Sequence, residues 1–437
     1  MEFNINAQEN NSYEVIVIGG GPSGVTAACA SAREGRKTLL IEQTGALGGM
    51  GTNGLVPCFC PFTDKEKIIY RSLAQEVLFR TNKTMDHVAD EAADWTPIQP
   101  EALKEIYDDL TVEHGVDVLF FTSVCYVQAE NGEVKYILAT NKEGFTAYSA
   151  KVYVDCSGDG DVAVGAGAEY VKGDGNDGEL QPASLCFVIS NIDDYAYLNG
   201  PDLSTSKKDS PCHQAIKSGK YSMIKDAHVC HSYYAPGCVG FNAGHIFGVD
   251  PENVKSTSDA MMYGRKLAKQ FLRMFRECSP KAFANAFISL TSPVIGIRES
   301  RRITGDYTLT VDDFLSRRTF KNEIARNSYF IDVHPTLREL EEGERSKNNR
   351  YEYGEGESHG IPYTCLTPKN VKNVLVAGKT ISCEREVQGS VRVMPVCLAM
   401  GEAAGIAAAM AVKDGDVHAV DTDELRTKIL SYGGYIL

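Results

Sequence analysis

Two segments at opposite ends of the chain constrain its fold more than any others: Glu14–Gly24 (EVIVIGGGPSG) and Asn373–Gly405 (NVLVAGKT…GEAAG). Each runs from a short apolar strand through glycine into a helix of small residues. Together they predict one dinucleotide held between the first and last pieces of a single domain.

The apolar run ending at Gly19 is rich in β-branched residues, as a strand buried on both faces should be. Gly19, Gly21 and Gly24 follow as G-x-G-x-x-G and lead into Val25-Thr26-Ala27-Ala28-Cys29-Ala30. The first glycine permits the tight turn, the second lets a pyrophosphate approach the backbone, and the third allows close helix–sheet contact. The helix start offers unpaired N–H groups and a positive dipole end to the anion. A second strand, Lys37 to Ile41, ends at Glu42, eighteen residues beyond Gly24, where a carboxylate can accept hydrogen bonds from a ribose.

At 437 residues the chain is long enough for two domains. Its 44 basic and 58 acidic side chains give a net charge of −14 without a Lys/Arg block, which argues against nucleic acid and anionic membranes as partners. The first residues, MEFNINAQENNSYE, lack a basic and apolar leader pattern, and no stretch is read as a membrane span. Thirteen cysteines, an odd count with Cys29, Cys186 and Cys397 in apolar runs, read as reduced thiols. The expected location is cytoplasmic.

The expected class is α/β: a Rossmann-like domain with a parallel sheet and a β-meander, and a mixed α+β substrate domain inserted into it. A helix is predicted over Pro97 to Gly115 and a strand over Val116 to Thr122. Three strands between Cys125 and Tyr148 are broken at Asn131-Gly132 and Lys142-Glu143-Gly144, forming the meander. Lys151 to Cys156 is a further parallel strand entering Ser157-Gly158-Asp159-Gly160-Asp161. Ligands of open α/β sheets sit at such strand ends.

The texture changes between about Tyr170 and Tyr363, with more Asp, Lys, Tyr and His and a helix expected from about Ser258 to Cys278. The predicted division is therefore 1–169 and 364–437 for the dinucleotide-binding domain and 170–363 for the substrate-covering domain. Segments 200–220 and 339–360 read as surface loops or lids. The chain returns to the first domain through a strand over Val371 to Val376, Gly378, and a helix over Ala399 to Val412, whose small residues would let backbone pack close to a flat ring.

With these motifs in place, the chain resembles the FAD-dependent oxidoreductases of the glutathione-reductase type, in particular their FAD_oxidored branch, over nearly its whole length. The likeness rests on VIVIGGGPSGVTAA, ALGGMGTNGLVP, YVDCSGDGDVAVGAGAE, GIRESRRITGDYTLT, IPYTCLTP, NVLVAGKTIS and GSVRVMPVCLAMGEAAGIAAA. It implies FAD as cofactor, with Gly19, Gly21, Pro22, Ser23 and Gly24 at the pyrophosphate and Glu42, with Gln43 beside it, at the adenosine ribose. It implies Gly48, Gly49, Met50, Thr52 and Asn53 along the flavin ring and ribityl chain, and backbone at Ser123 or Val124 at the adenine. Cys156, Ser157, Gly158 and Gly378 would border the cofactor. The stretch from Arg392 through Met394 and Gly401 to Gly405 would aim a helix N-terminus at the flavin pyrimidine edge, where a reduced flavin carries negative charge.

Hydride transfer to a flavin needs a C–H donor over the ring, and oxidation of an alcohol or amine also needs a base near the departing proton. His245, in FNAGHIFGVD, is the candidate base, weighed against an ordinary packing histidine; His334 is a weaker candidate. Arg298 and Arg301 are candidates to clamp a substrate carboxylate, against the alternative of ion pairs with Glu299 and Asp306. On an extended segment Arg298 and Arg302 would share one face and Arg301 the other. Glu384-Arg385-Glu386 would face the active site or lie on a surface turn.

Cys58 and Cys60 form C-x-C, short for a redox disulfide. Cys212-His213, His228, Cys230-His231 and Cys238 do not match the spacing of paired metal knuckles, and no metal site is assigned. The favoured function is an FAD-dependent dehydrogenase or reductase acting on a small polar molecule, with an electron donor or acceptor the sequence does not identify. Thiol–disulfide exchange through Cys58 and Cys60 and a non-catalytic flavin-binding module are the alternatives. No second Gly-rich strand–turn–helix appears in the middle third, so a built-in NAD(P)H domain is not expected.

Overall fold

The computed structural model describes residues 6–173, 178–342 and 351–437. Part of the predicted 339–360 loop therefore lies outside the described residues. Five short strands form a parallel sheet in the order Val374–Val376, Val152–Asp155, Val15–Ile18, Thr38–Ile41, Asp117–Leu119. The strand leading into the first glycine motif is thus flanked by two others, and the strand from the far end of the chain closes one edge. Val15–Ile18 is buried at every position, which is why it reads as a continuous apolar run.

Helix Pro22–Arg33 follows the first strand, and helix Met394–Ala411 lies directly against it. A Cβ on Gly401 would stand 2.1 Å from the Ser23 carbonyl oxygen, and one on Gly405 2.1 Å from that of Ala27. Only glycine permits this approach. Thr26 adds a hydrogen bond from its hydroxyl to the Leu398 carbonyl at 2.8 Å.

The meander comprises Ser123–Glu130, Glu133–Asn141 and Gly144–Tyr148, with Gln8–Asn10 added parallel to its last strand. Val134, Ile137, Ala139 and Tyr148 bury into the same core as the parallel sheet. The predicted helix at 97–115 is Pro100–Glu113, begun by Gln99, whose side chain accepts from the Ala102 amide. The strand after it shrinks to Asp117–Leu119.

A second core gathers residues between Ala183 and Ala286. Its antiparallel sheet runs Val229–Ala235, Cys238–Ala243, Phe187–Ser190, Phe287–Thr291, and helix Val254–Cys278 covers it. The interior is aromatic: Phe241 stacks on Phe275 at 4.7 Å and on Phe187 at 5.4 Å. Ile303, Leu309, Phe314, Ile324, Ile331, Ile361 and Tyr363 bury instead into the first core. These described residues between Ile303 and Tyr363 therefore pack with the parallel sheet although they fall within the range expected for the substrate-covering domain. Within 200–220, expected as loop, Pro211–Lys217 is a short helix capped by Ser210.

Among the described residues one helix, Met394–Ala411, is long and apolar enough to cross a membrane, contrary to the reading that no stretch is. It is 89% buried. Its all-round apolarity is that of a core helix.

Candidate active site

Gly19 takes φ +95° at the end of the first strand, and a Cβ there would meet the Cys156 carbonyl oxygen at 2.3 Å. A Cβ on Gly24 would stand 1.8 Å from the Gly19 carbonyl oxygen, whereas one on Gly21 would meet nothing within 4 Å. The turn is packed hard on its protein side and open on the other. Pro22 opens the helix, Gly21 is its N-cap, and no acidic residue occupies the first turn. That is an anion cradle.

Glu42 is buried, with Oε2 accepting from the Gly20 amide at 2.7 Å and Oε1 from the amide and hydroxyl of Thr44 at 2.8 and 2.7 Å. One lone-pair direction on Oε2 stays open, enough for a ribose hydroxyl. Gln43 beside it is exposed. Gly378 abuts the same turn, a Cβ there lying 2.9 Å from Ser23 Oγ. Cys156 continues the neighbouring strand, its amide bonded to the Ile18 carbonyl at 2.8 Å. Ser157 accepts from the Gly160 and Asp161 amides, and the Gly158 carbonyl accepts from Ser300 Oγ, so both hold this loop in place. Val124 pairs with Ala139 at the start of the meander.

The loop at 48–54 begins with Gly48 and Gly49 in left-handed conformations and carries Met50. Thr52 Oγ1 donates to the Leu47 carbonyl at 2.5 Å, and Asn53 Nδ2 donates to Thr44 Oγ1 and the Ala46 carbonyl at 2.8 and 3.0 Å. Their polar groups thus brace the loop internally. Met394, the first residue of the long helix, places its sulfur 3.0 Å from where a Cβ on Gly51 would be, so the helix N-terminus meets this loop. Gly401 and Gly405, expected against a flat ring, face helix Pro22–Arg33 instead; their small size serves helix packing beneath the glycine turn.

Residues 14–429 match the family described as FAD dependent oxidoreductase. The chain belongs to that family. Its cofactor is FAD, and the residues around Gly19–Gly24 and Glu42 fit a dinucleotide. A geranylgeranyl bacteriochlorophyll reductase-like protein from Thermoplasma acidophilum shares the fold at a TM-score of 0.50 and 13% identity, over 98% of this chain and 84% of the other. The flavoprotein is also similar to dihydrolipoyl dehydrogenase of Trypanosoma brucei brucei, 50% identical over 48 residues, and to thioredoxin reductase of Aquifex aeolicus, 43% identical over 51. These matches cover 11% and 12% of this chain and 10% and 16% of the relatives. The flavoprotein thus spans about a tenth of the length of the first curated relatives it matches.

Where the cap meets the first domain, His228, His245 and His334 converge, with a ring nitrogen from each within 4.8 Å of the others. His245 stacks on His228 at 4.2 Å between centroids, and His334 stands across both at 4.7 and 5.0 Å. His245 Nδ1 hydrogen-bonds Asp226 Oδ2, and Asp332 Oδ1 lies 3.4 Å from His334 Nε2. Burial pushes His228 and His245 well below the ordinary imidazole range, assisted by the neighbouring imidazoles and Arg298, so both rest neutral. Burial would raise Asp332, but His334 and the guanidiniums of Arg392 and Arg298 hold its carboxyl well below the usual range.

Arg298 donates through Nη1 to the Pro182 carbonyl at 2.8 Å and Ser184 Oγ at 2.9 Å. Burial, with Arg392 beside it, lowers its pKa to about 10. Arg392 donates to Gln181 Oε1 and to the carbonyls of Arg298 and Asp332. Two residues before Arg298, a Cβ on Gly296 would lie 3.2 Å from Met50 Cε, which ties the cluster to the 48–54 loop.

His245 and Arg298 therefore come together, and His334 joins them. Arg301 does not: it pairs with Asp161 at 3.0 Å and Glu252 at 3.2 Å, away from the imidazoles. Arg302 pairs with buried Glu299, to which Arg385 also reaches, while Glu384 caps Val311. Glu384 and Arg385 are thus engaged in contacts within the fold. His228 leaves the Cys/His group of the sequence; His231 bonds Tyr197 and Asp202, and His213 the Lys207 carbonyl. Cys58 and Cys60 are unpaired, and burial raises Cys58 to about 11 and Cys60 further still, which suppresses the thiolate that exchange requires. Asp226, Asp332, Gln181 and Arg392 as a cap-side contact were missed. A signal existed: Asp226-Ala227-His228 and Asp332-Val333-His334 repeat the triplet D-x-H.

Proposed function

We propose that this flavoprotein transfers a hydride between a small polar substrate and its flavin, with substrate held at the His245–Arg298 cluster. The observation that carries this reading is the meeting of a buried His–Asp pair and a buried arginine beside the 48–54 loop. FAD supplies the hydride acceptor or donor at N5. Arg298, anchored through Nη1, keeps the rest of its fork for an anionic or carbonyl group of the substrate. Asp226 holds the His245 Nδ1–H, which leaves Nε2 with a lone pair to accept the proton from a substrate hydroxyl or amine. That nitrogen is buried and has no hydrogen-bond partner among the described residues.

Direct hydride exchange with a bound small molecule favours a separate, diffusible electron partner, and the net charge of −14 disfavours nucleic acid or an anionic membrane as partner. Thirteen unpaired thiols are in keeping with a cytoplasmic location. The test is anaerobic bleaching of the flavin band across hydroxy acids, amino acids and sugars, followed with the bleaching donor in His245→Gln and Arg298→Met. Each variant should keep its flavin and reduce it about 100-fold more slowly. Unchanged reduction kinetics in both would reject the assignment.

A further inference from the structure

We propose that His228, His245 and His334 form a binding site for one divalent first-row cation, zinc by ligand type, with its remaining position open to an oxygen ligand. Three imidazoles from three separate segments, His228 beside strand Val229–Ala235, His245 in the loop after Cys238–Ala243 and His334 near the first core, present nitrogens within 4.8 Å of one another. Three histidines and an open position is the ligand pattern of catalytic zinc. Nitrogens bound to a tetrahedral zinc at about 2.1 Å lie about 3.4 Å apart, so loading draws the set together by about an ångström.

Independent features point to a ligand. His228 Nδ1 and His245 Nε2 are buried polar atoms without a partner among the described residues. Such atoms are uncommon in folded proteins, and a shared cation would satisfy both. Asp226 on His245 Nδ1 and Asp332 beside His334 Nε2 are the carboxylate–histidine contacts that fix tautomer and ring orientation around a metal. Asp226 and Asp332 also offset the charges of Arg298 and Arg392, so the surroundings do not repel a dication outright.

The inference goes beyond the hydride reading and can fail without it. In the metal-free protein His245 Nε2 accepts the substrate proton; with the cation bound, His245 becomes a ligand. A substrate hydroxyl coordinated to the cation would then be made more acidic and give up its proton to water rather than to His245.

The test uses FAD-loaded protein stripped with a chelator and titrated with zinc in a calorimeter, then with cobalt(II) followed by absorbance. One equivalent should bind with micromolar affinity or better. The cobalt form should show tetrahedral ligand-field bands without thiolate charge transfer, which excludes capture by the cysteines. His228→Gln and His334→Gln, checked for flavin content and melting temperature, should weaken binding at least tenfold, and Cys230→Ser should not. Absence of tight binding, a thiolate-type cobalt spectrum, or affinity unchanged in both histidine variants would overturn the site. None of these readouts depends on a substrate, so they are separable from the flavin-reduction test above.

Discussion

At the scale of single residues, burial without compensation is what distinguishes several side chains here, and His359 shows its cost outside the candidate site. It is fully buried between Tyr353 and Phe314, hydrogen-bonds the Tyr353 hydroxyl through Nδ1, and leaves Nε2 without a partner among the described residues. Burial, with Arg326 and Arg317 nearby, lowers its pKa to about 3. The folded value is below the unfolded one, so the unfolded chain binds a proton that the folded chain refuses. Stability from this group is complete above about pH 6.5 and declines as pH falls, at up to about 1.4 kcal/mol per pH unit. Between pH 7 and pH 5 the wild type should lose about 2 kcal/mol more unfolding free energy than His359→Gln. Urea denaturation at the two pH values measures this directly, and parallel losses would show that His359 titrates normally.

Among elements, the contact between helices Pro22–Arg33 and Met394–Ala411 joins the two ends of the chain and fixes the glycine turn. Gly405→Ala would place a methyl 2.1 Å from the Ala27 carbonyl oxygen. Alanine favours a helix over glycine by about 1 kcal/mol, but forced separation of packed backbones costs about 1–3 kcal/mol, so a net loss of stability is expected. Gly401→Ala, above Ser23, should in addition weaken FAD retention, measured as flavin per protein after gel filtration; full retention together with an unchanged melting temperature would contradict the packing argument. The strands, glycine turn and meander were legible because local patterns specify them: buried parallel strands read as apolar runs, and Asn-Gly marks a hairpin. What Gly401 and Gly405 touch was not legible, because a small residue shows that something comes close without showing what. The candidate cluster was half legible for a similar reason. His245 and Arg298 carried recognisable chemistry, but their partners Asp226, Asp332 and Arg392 are distant in sequence, and only tertiary packing brings them together.

For the molecule as a whole, two cores divide the labour, and the division predicts which half can stand alone. The segment between Ser184 and Gly296 contains the antiparallel sheet and its helix, and its two ends are hydrogen-bonded to each other, Ser184 N to Gly296 O at 3.0 Å and Gly296 N to Ser184 O at 2.8 Å. Ends so close can be bridged by a few flexible residues at little entropic cost. The parallel sheet, the 48–54 loop and both helices packed at the glycine turn lie outside that segment. Replacing residues 185–295 with a short Gly/Ser linker should therefore leave a folded protein that still binds FAD, although more weakly, because the cap touches the loop through the Ser292 hydroxyl bond to the Asn53 carbonyl at 2.8 Å. It should lose substrate-driven flavin reduction, since His228 and His245 leave with the segment while Arg298 and His334 remain without them. A yellow, cooperatively unfolding but inactive protein is the expected product, scored by flavin stoichiometry, thermal denaturation and anaerobic reduction. A shortened chain that is soluble and cooperatively folded yet colourless would mean that the cap itself helps to hold the cofactor, and an aggregated one that the two cores do not fold independently.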